Sequence, residues 1–388
     1  MGLKRVAILG STGSIGINTL KVIERFPGRL KVVGLSAYNN IRLLGAQVAK
    51  FAPAHVAVSE KGIRYLKRHV RTRRTRIWDV QRDLEQIVAS KEVDIVVIAM
   101  RSSAALRPFV SAVRAGKTVA PANKEALVMA GDILIREARV HGAKIIPIDS
   151  EQSAIFQCLE GKNRDELKRV ILTASGGALL NVAKSKFHRL SARQILNHPR
   201  WKMGKKITVD SALLMNKGFE ILEAMALFQL TVKQVEVVVH PEAIIHSMVE
   251  FQDGSIIAQL SVADMRVPIQ YALTYPQRWA SRMPKLNFFQ LGRLTFRRPD
   301  LRKFPALALA IDVGRRGGTL PSVLNAADEE AVEAFLSKKV RFNRIYDIVE
   351  RVVSQHTIVE RPGLDDIFEA DIWARDEARK IIFQKKKC

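Results

Sequence analysis

Val6-Ala7-Ile8-Leu9-Gly10-Ser11-Thr12-Gly13-Ser14-Ile15-Gly16 decides the fold. Four apolar residues without polar alternation read as a short strand buried on both faces, as strands of parallel sheets are. Three glycines follow at three-residue spacing, and then a helical pattern over residues 17–26. Glycines between a strand and a helix permit a tight turn, let the backbone approach a pyrophosphate, and let the helix pack on the sheet. The helix amino terminus adds N–H groups and partial positive charge for an anion. A glycine-rich turn without a ligand is the competing reading of this motif taken alone.

Outward from this unit, the pattern alternates. Strands are predicted at 30–35, 55–58, 93–99, 118–120 and 143–148, and helices at 41–51, 110–115 and 124–138. Such alternation builds βαβ units and a parallel sheet. The middle third reads as α+β, with strands at 170–173, 235–239, 247–251 and 255–260, the last two forming a hairpin through Gln252-Asp253-Gly254. From residue 306 the pattern is helical: 306–315, 321–336, 342–354 and 364–380. The expected architecture is an α/β amino-terminal dinucleotide-binding (Rossmann-like) domain over 1–148 and an α+β catalytic and metal-binding domain over 149–275, with a flexible lid at 193–204. A linker over 276–305 leads to a helical carboxy-terminal domain over 306–388.

Composition narrows the class. Of 388 residues, 47% are apolar and 26% charged, which excludes a disordered chain. No window of 18 apolar residues suggests a membrane span. Cys158 and Cys388 cannot make a disulfide framework, which points to a reducing compartment. The apolar run at 6–9 is too short for a signal-peptide core, so the expected location is the cytoplasm. The net charge of +25 admits nucleic acid, acidic surfaces or anionic small molecules as partners. Lys61, Arg64, Lys67, Arg68, Arg71, Arg73, Arg74 and Arg76 form a run with no acidic residue between 61 and 78, and Arg293, Arg297, Arg298, Arg302 and Lys303 a second cluster. Sparse aromatic interleaving and the lack of a recognition motif argue against nucleic acid and for a solvated face.

Five further segments carry chemistry. The turn after the second strand, Ser36-Ala37-Tyr38-Asn39-Asn40-Ile41-Arg42, lacks the acidic residue that clamps an NAD ribose, whereas Arg42 or the Asn pair suits a 2′-phosphate. Asp149 and Glu151 share a face in extended backbone and suit a hard divalent cation, but Asp149 equally suits the cap of a helix over 152–159. Asn216 and Lys217 lie four and three residues before Glu220, on one helical face that suits an anion and a cation together. Ser175-Gly176-Gly177 is a small-residue turn able to cradle phosphate. The loop His198-Pro199-Arg200-Trp201-Lys202-Met203-Gly204 is suited to closing over an anionic substrate. His240 and His246 read as structural.

Together these segments resemble the 1-deoxy-D-xylulose 5-phosphate reductoisomerases, NADPH- and metal-dependent enzymes of the non-mevalonate isoprenoid pathway. The resemblance rests on GSTGSIG (10–16), ANKEALV (122–128), PIDSEQSAIFQ (147–157), TASGGAL (173–179), HPRWKMG (198–204), VDSALLMNKGFEILEA (209–224), residues 240–273 and NAAD (325–328). It implies Asp149, Glu151 and Glu220 as ligands for Mg²⁺ or Mn²⁺, with Co²⁺ as an alternative. It implies substrate contacts from Ser150, Glu151, Ser175, His198, Trp201, Ser211, Asn216, Lys217 and Glu220, with Lys124, Glu151 and His198 catalytic and Trp201 and Met203 in the lid. It implies NADPH contacts from Thr12, Gly13, Ser14, Ile15, Asn39, Asn40, Asn123, Glu125 and Gly204. The implied reaction isomerises and reduces 1-deoxy-D-xylulose 5-phosphate to 2-C-methyl-D-erythritol 4-phosphate, and the implied assembly is a homodimer. An NADP oxidoreductase acting on another phosphorylated sugar is the alternative. The chain departs from the family pattern at Ala178-Leu179, at Pro121, at Tyr38-Asn39, and at Met100-Arg101-Ser102-Ser103, where the pattern usually contains glycine.

Overall fold

The computed structural model describes residues 2–70, 75–198, 200–201 and 203–384. Arg71, Arg73 and Arg74 of the basic run, Pro199 and Lys202 of the expected lid, the Lys385-Lys386-Lys387 tail and Cys388 lie outside the described residues. The chain forms two compact units, one of Met1–Ala126, Leu134–Ser153 and Asp264–Met283, the other of Leu127–Ile133, Ala154–Ala263 and Pro284–Cys388.

The first unit is built on a seven-stranded sheet: β1 (Lys4–Leu9), β2 (Leu30–Ala37), β3 (His55–Val58), β4 (Arg76–Asp79), β5 (Ile95–Ile98), β6 (Thr118–Pro121) and β7 (Lys144–Ile145). The order is β4-β3-β2-β1-β5-β6-β7, every pairing parallel. The expected Rossmann-like α/β class is therefore the observed one. Val6, Ala7 and Ile8 of β1 and Val96, Val97 and Ile98 of β5 are fully buried, which is why these runs lack alternation. Strand order reverses between β1 and β5, so the crevice at their carboxyl ends is where an open α/β sheet binds its ligand. The sequence pattern misses β4. Its residues Arg-Ile-Trp-Asp are half-exposed at the sheet edge and carry no apolar run.

Residues 264–283, assigned from sequence partly to the central domain and partly to a linker, group instead with this unit. Lys4 Nζ donates to the carbonyls of Leu273 (3.1 Å) and Tyr275 (2.8 Å), and Phe26 meets the Trp279 ring edge-on at 5.0 Å. Local periodicity does not report such distant packing.

The second unit holds a four-stranded sheet of β8 (Leu167–Ala174), β9 (Val235–Val239), β10 (Ile245–Phe251) and β11 (Ile256–Leu260), in the order β11-β10-β8-β9. β10 pairs antiparallel with β11 and β8, as the hairpin signal implies, whereas β8 and β9 are parallel. The helices Ala192–Ile195, Lys205–Leu213 and Met215–Phe228 lie between β8 and β9 in the chain. A crossover of that length is what a parallel pair requires. Four helices close the unit: Pro305–Arg316, Leu320–Leu336, Arg344–Gln355 and Leu364–Phe383. The stretch read as linker is ordered in part, since Arg297 exchanges backbone hydrogen bonds with Val239 at 2.9 and 2.8 Å. No helix of the described residues is long and apolar enough to cross a membrane.

Candidate active site

The glycine loop sits at the carboxyl end of β1. Gly10 has φ +87°, and a Cβ there would lie 2.5 Å from the carbonyl oxygen of Ala99. Only glycine fits this approach of two strand ends. The loop is anchored from beneath: Ser11 is fully buried, its hydroxyl donates to Gln47 Oε1 at 2.7 Å, and Gln47 Nε2 returns to the Ser11 carbonyl at 3.0 Å. Thr12, Gly13, Ser14 and Ile15 form the accessible tip. No side chain caps the helix Ser14–Ile23 that follows Gly13. Its first-turn N–H groups are thus offered to an anion.

Asn39 and Asn40 are exposed in the next turn, after β2. Asn40 Oδ1 accepts from Leu43 N at 3.2 Å, so it caps the helix Ile41–Phe51. Asn123 is buried and also caps: its Oδ1 accepts from Ala126 N at 2.9 Å, while its Nδ2 donates to the Met100 carbonyl at 3.0 Å. It thereby ties the 100–102 segment to the helix Lys124–Val140 that carries Lys124 and the half-buried Glu125.

Lys124 and Asp149 form a buried ion pair, with Nζ and Oδ2 2.9 Å apart. Asp149 Oδ1 also accepts from Glu151 N at 3.3 Å, immediately before the helix Ser150–Leu159. Asp149 thus caps the start of this helix through Oδ1, one of its two sequence readings, while Oδ2 faces Lys124. Glu151 lies in the first helical turn rather than in extended backbone, because the helix starts two residues earlier than its apolar pattern. Ser150 Oγ donates to Glu151 Oε2 at 2.6 Å.

In the second unit the helix Met215–Phe228 starts at Leu214, a non-glycine residue at φ +58°, and has no side-chain cap. Asn216, Lys217 and Glu220 share its first turns as their spacing predicts. Asn216 Nδ2 donates to Glu220 Oε1 at 2.5 Å, and Lys217 Nζ donates to Glu220 Oε2. Lys217 and Glu220 are both buried. Such ionised groups remain in the interior only when paired. Ser211 closes the preceding helix, and a Cβ on Gly177 would lie 2.3 Å from the Ser211 carbonyl oxygen. That contact lets the Ser175 turn lie against the Ser211 helix.

Ser175 Oγ is 3.1 Å from His198 Nε2, and His198 Nδ1 accepts from Arg200 N (3.2 Å) and Trp201 N (2.9 Å). With Nδ1 accepting, the neutral ring carries its proton on Nε2 and donates it to Ser175. Gly177 N also donates to Ser175 Oγ, at 3.3 Å. The serine then keeps its own hydroxyl proton for a further acceptor. Burial holds the His198 pKa below the usual imidazole value. Trp201 lies beside His246, their ring centroids 6.3 Å apart. Burial pushes His246 down to about 4. Met203 and Gly204 lead into the helix Lys205–Leu213, with Gly204 at its amino end.

Asp149, Glu151 and Glu220 each offer one carboxylate oxygen as a metal ligand. One feature escaped the sequence reading. Lys206 Nζ bridges Asp210 Oδ2 (2.8 Å) and Asp328 Oδ2 (2.7 Å), and lies 4.7 Å from the centre of the Phe219 ring. This ties the Ser211 helix to the NAAD segment. The available signal was the polar pair Asn325 and Asp328 of the NAAD segment, both of which the fold buries fully.

Comparisons with known proteins agree along the chain. Family models described as 1-deoxy-D-xylulose 5-phosphate reductoisomerase, its C-terminal domain, and DXP reductoisomerase C-terminal domain match residues 6–131, 145–228 and 260–377. The chain is 47% identical over 382 residues to the 1-deoxy-D-xylulose 5-phosphate reductoisomerase of Pelotomaculum thermopropionicum, covering 98% of this chain and 99% of that protein. It is 47% identical to that of Heliobacterium modesticaldum, covering 96% of each. Among solved structures it resembles a DOX-P reductoisomerase in complex with NADPH, fosmidomycin and magnesium (TM-score 0.92, 40% identity, 98% of each chain covered). The Zymomonas mobilis enzyme in complex with NADPH is equally similar (TM-score 0.92, 38% identity, 99% of this chain and 100% of that one). The chain belongs to the 1-deoxy-D-xylulose 5-phosphate reductoisomerase family.

Proposed function

We propose that this protein converts 1-deoxy-D-xylulose 5-phosphate and NADPH to 2-C-methyl-D-erythritol 4-phosphate and NADP⁺, with a divalent metal. The observation that carries the reading is the face of half-buried Asn216 and buried Lys217 and Glu220: amide, ammonium and carboxylate at an uncapped helix amino terminus. It offers donors to a phosphate and an oxygen ligand to a cation at once.

A donor set of three carboxylates with no thiolate or imidazole fits Mg²⁺ or Mn²⁺, held by Asp149, Glu151 and Glu220. When bound, such an ion supplies Lewis-acid polarisation of carbonyl and hydroxyl oxygens. The uncapped helix at Gly13 and the close approach at Gly10 fit a dinucleotide, contacted by Thr12, Gly13, Ser14 and Ile15, with Asn123 and Glu125 beside the nicotinamide half and Gly204 as a further cofactor contact. NADPH supplies the hydride.

The remaining work falls to side chains. Lys217, Asn216, Ser211 and Ser175 hold the substrate phosphate, so binding energy remote from the reacting carbons orients them. His198, neutral and donating from Nε2, turns the Ser175 hydroxyl toward that phosphate. Lys124 pairs with Asp149 and, with Ser150, meets the hydroxyl and carbonyl end of the substrate. Trp201 and Met203 exclude water when the lid closes. The enzyme acts in the cytoplasm as a homodimer.

NADPH absorbance should fall only when substrate and Mg²⁺ are both present, and a chelator should stop it. Steady NADPH absorbance in the complete mixture would refute the reading. Turnover of other phosphorylated sugars but not this one would favour the alternative oxidoreductase. Light scattering should give a mass near twice 43.5 kDa.

A further inference from the structure

The basic run over 61–76 has the sequence character of a solvated face, yet Lys61, Arg64 and Arg68 within it line a cleft. A cavity of about 740 Å³ lies beside the turn after β2, walled by Asn39, Asn40 and Arg42 on one side and by Lys61, Arg64 and Arg68 on the other. We propose that this cleft seats the 2′-phosphate of NADPH, and that Arg64 and Arg68 are the cations that select NADPH over NADH. The inference rests on the cofactor reading above and assigns its specificity to residues outside the family motifs.

Topology places the cleft correctly for that role. β2 and β3 are adjacent and parallel, with Ala37 paired to Val58, so the 38–42 turn and the helix Glu60–His69 leave the same edge of the sheet. β1 pairs beside β2, Leu9 against Ser36, so the glycine loop opens on this edge too. A dinucleotide whose pyrophosphate sits at the glycine loop directs its adenosine ribose toward the end of β2.

The turn itself supplies little charge. It has no acidic residue to hold a free 2′-hydroxyl and no cation before Arg42, and Asn40 Oδ1 is engaged in capping. The neighbouring helix makes up the deficit. Arg64 and Arg68 are four residues apart and Lys61 lies one turn earlier, so the three share a face. Among the described residues, no carboxylate lines the cleft. Arg64 lies 3.5 Å from Glu60, but both side chains are mostly exposed, at 68% and 76%. Such a pair is worth little and yields readily to a stronger anion. A phosphate monoester is nearly dianionic at neutral pH, and guanidinium groups grip it in bidentate fashion. The cleft also has a flat wall, since Tyr65 and His69 stack at 4.4 Å.

The test measures cofactor binding by nicotinamide fluorescence, without turnover. Wild type is compared with R64S/R68S and with K67S/R82S, which removes two exposed cations that do not line the cleft. We expect R64S/R68S to weaken NADPH at least tenfold, to leave NADH within twofold, and to abolish competition by adenosine 2′-monophosphate. The control variant should change neither cofactor by more than twofold. Unchanged NADPH affinity in R64S/R68S, or equal loss of both cofactors, overturns the assignment while leaving the cofactor reading intact. Failure of the wild type to bind NADPH overturns that reading, and this inference with it. All four substituted residues are exposed, and unchanged circular dichroism verifies that each variant is folded.

Discussion

The two units each offer a candidate anion cradle, and the two are built differently. In the first, backbone does the holding: a glycine turn, an uncapped helix and an accessible tip, braced from below by Ser11 and Gln47. In the second, side chains would do it: Lys217, Glu220 and Ser211 are buried, and burial lowers the pKa of the histidines beside the loop. A long dinucleotide brings its own apolar body and needs few charges. A small sugar phosphate has little surface to bury, so the protein must offer it desolvated charge, which is stronger and costlier to keep. Damage to the second cradle should therefore cost more than damage to the first.

Lys217→Met is the largest test. It removes the ammonium from the buried face and leaves Glu220 without that partner. We expect kcat/KM to fall by about a thousandfold or more, equivalent to roughly 4 kcal/mol of transition-state stabilisation. Steady-state kinetics with the sugar phosphate measure it. A loss under tenfold would place the phosphate elsewhere.

Acid stability tests the same contrast without catalysis. An unfolded His246 takes a proton near the ordinary imidazole value of 6.5, whereas the folded one refuses it until about 4. Its contribution is complete above 6.5 and is lost as pH falls toward 4, because the unfolded chain then binds the extra proton. The difference amounts to roughly 3 kcal/mol. His198 is shifted in the same direction. His246→Gln keeps a donor for the Ser261 carbonyl, now at 3.2 Å, but cannot ionise. Urea midpoints measured across that range should fall less steeply for the variant. Identical pH profiles would show that the ring is not buried as described.

Legibility in the sequence followed the same division. β1, the glycine turn and the helical carboxy-terminal part were readable because period and punctuation are local. The Asn216-Lys217-Glu220 face was readable because a helix fixes which residues meet. β4 was not, since an edge strand that is half-exposed needs no apolar run. The placement of 264–283 and the Lys206–Asp328 tie were not either, because both depend on partners far away in the chain. The Arg64 and Arg68 cleft lay hidden within a charge run, where only the third dimension separates a lining residue from a solvated one.

Gly10→Ala probes the first cradle. The new methyl would press on the Ala99 carbonyl at 2.5 Å, at a φ of +87° that L residues resist. We expect a loss of about 1–3 kcal/mol of stability. NADPH affinity should weaken as well, while phosphate affinity, measured with inorganic phosphate, should stay unchanged. Loss of both affinities together would show that the two cradles are not independent.

The smallest effect has the opposite sign. Two strand ends flank the crevice of the first sheet, β1 leading to Gly10 and β5 leading to Ser102. Gly10 takes its positive φ at no steric cost, but Ser102 sits at φ +64°, ψ −176°, a region that essentially only glycine occupies. This is the segment where the family pattern usually carries glycine. Ser102 is held there by its neighbours: its carbonyl accepts from Ala105 N at 3.2 Å, and Asn123 grips the adjacent Met100 carbonyl at 3.0 Å. Relief of this strain is worth about 1–3 kcal/mol. The added freedom of glycine in the unfolded chain offsets about 0.5–1 kcal/mol of that. Ser102→Gly should therefore stabilise the protein by roughly 1 kcal/mol and raise its melting temperature by about 1 °C. A lower melting temperature would mean that the serine hydroxyl contributes more there than its backbone conformation costs.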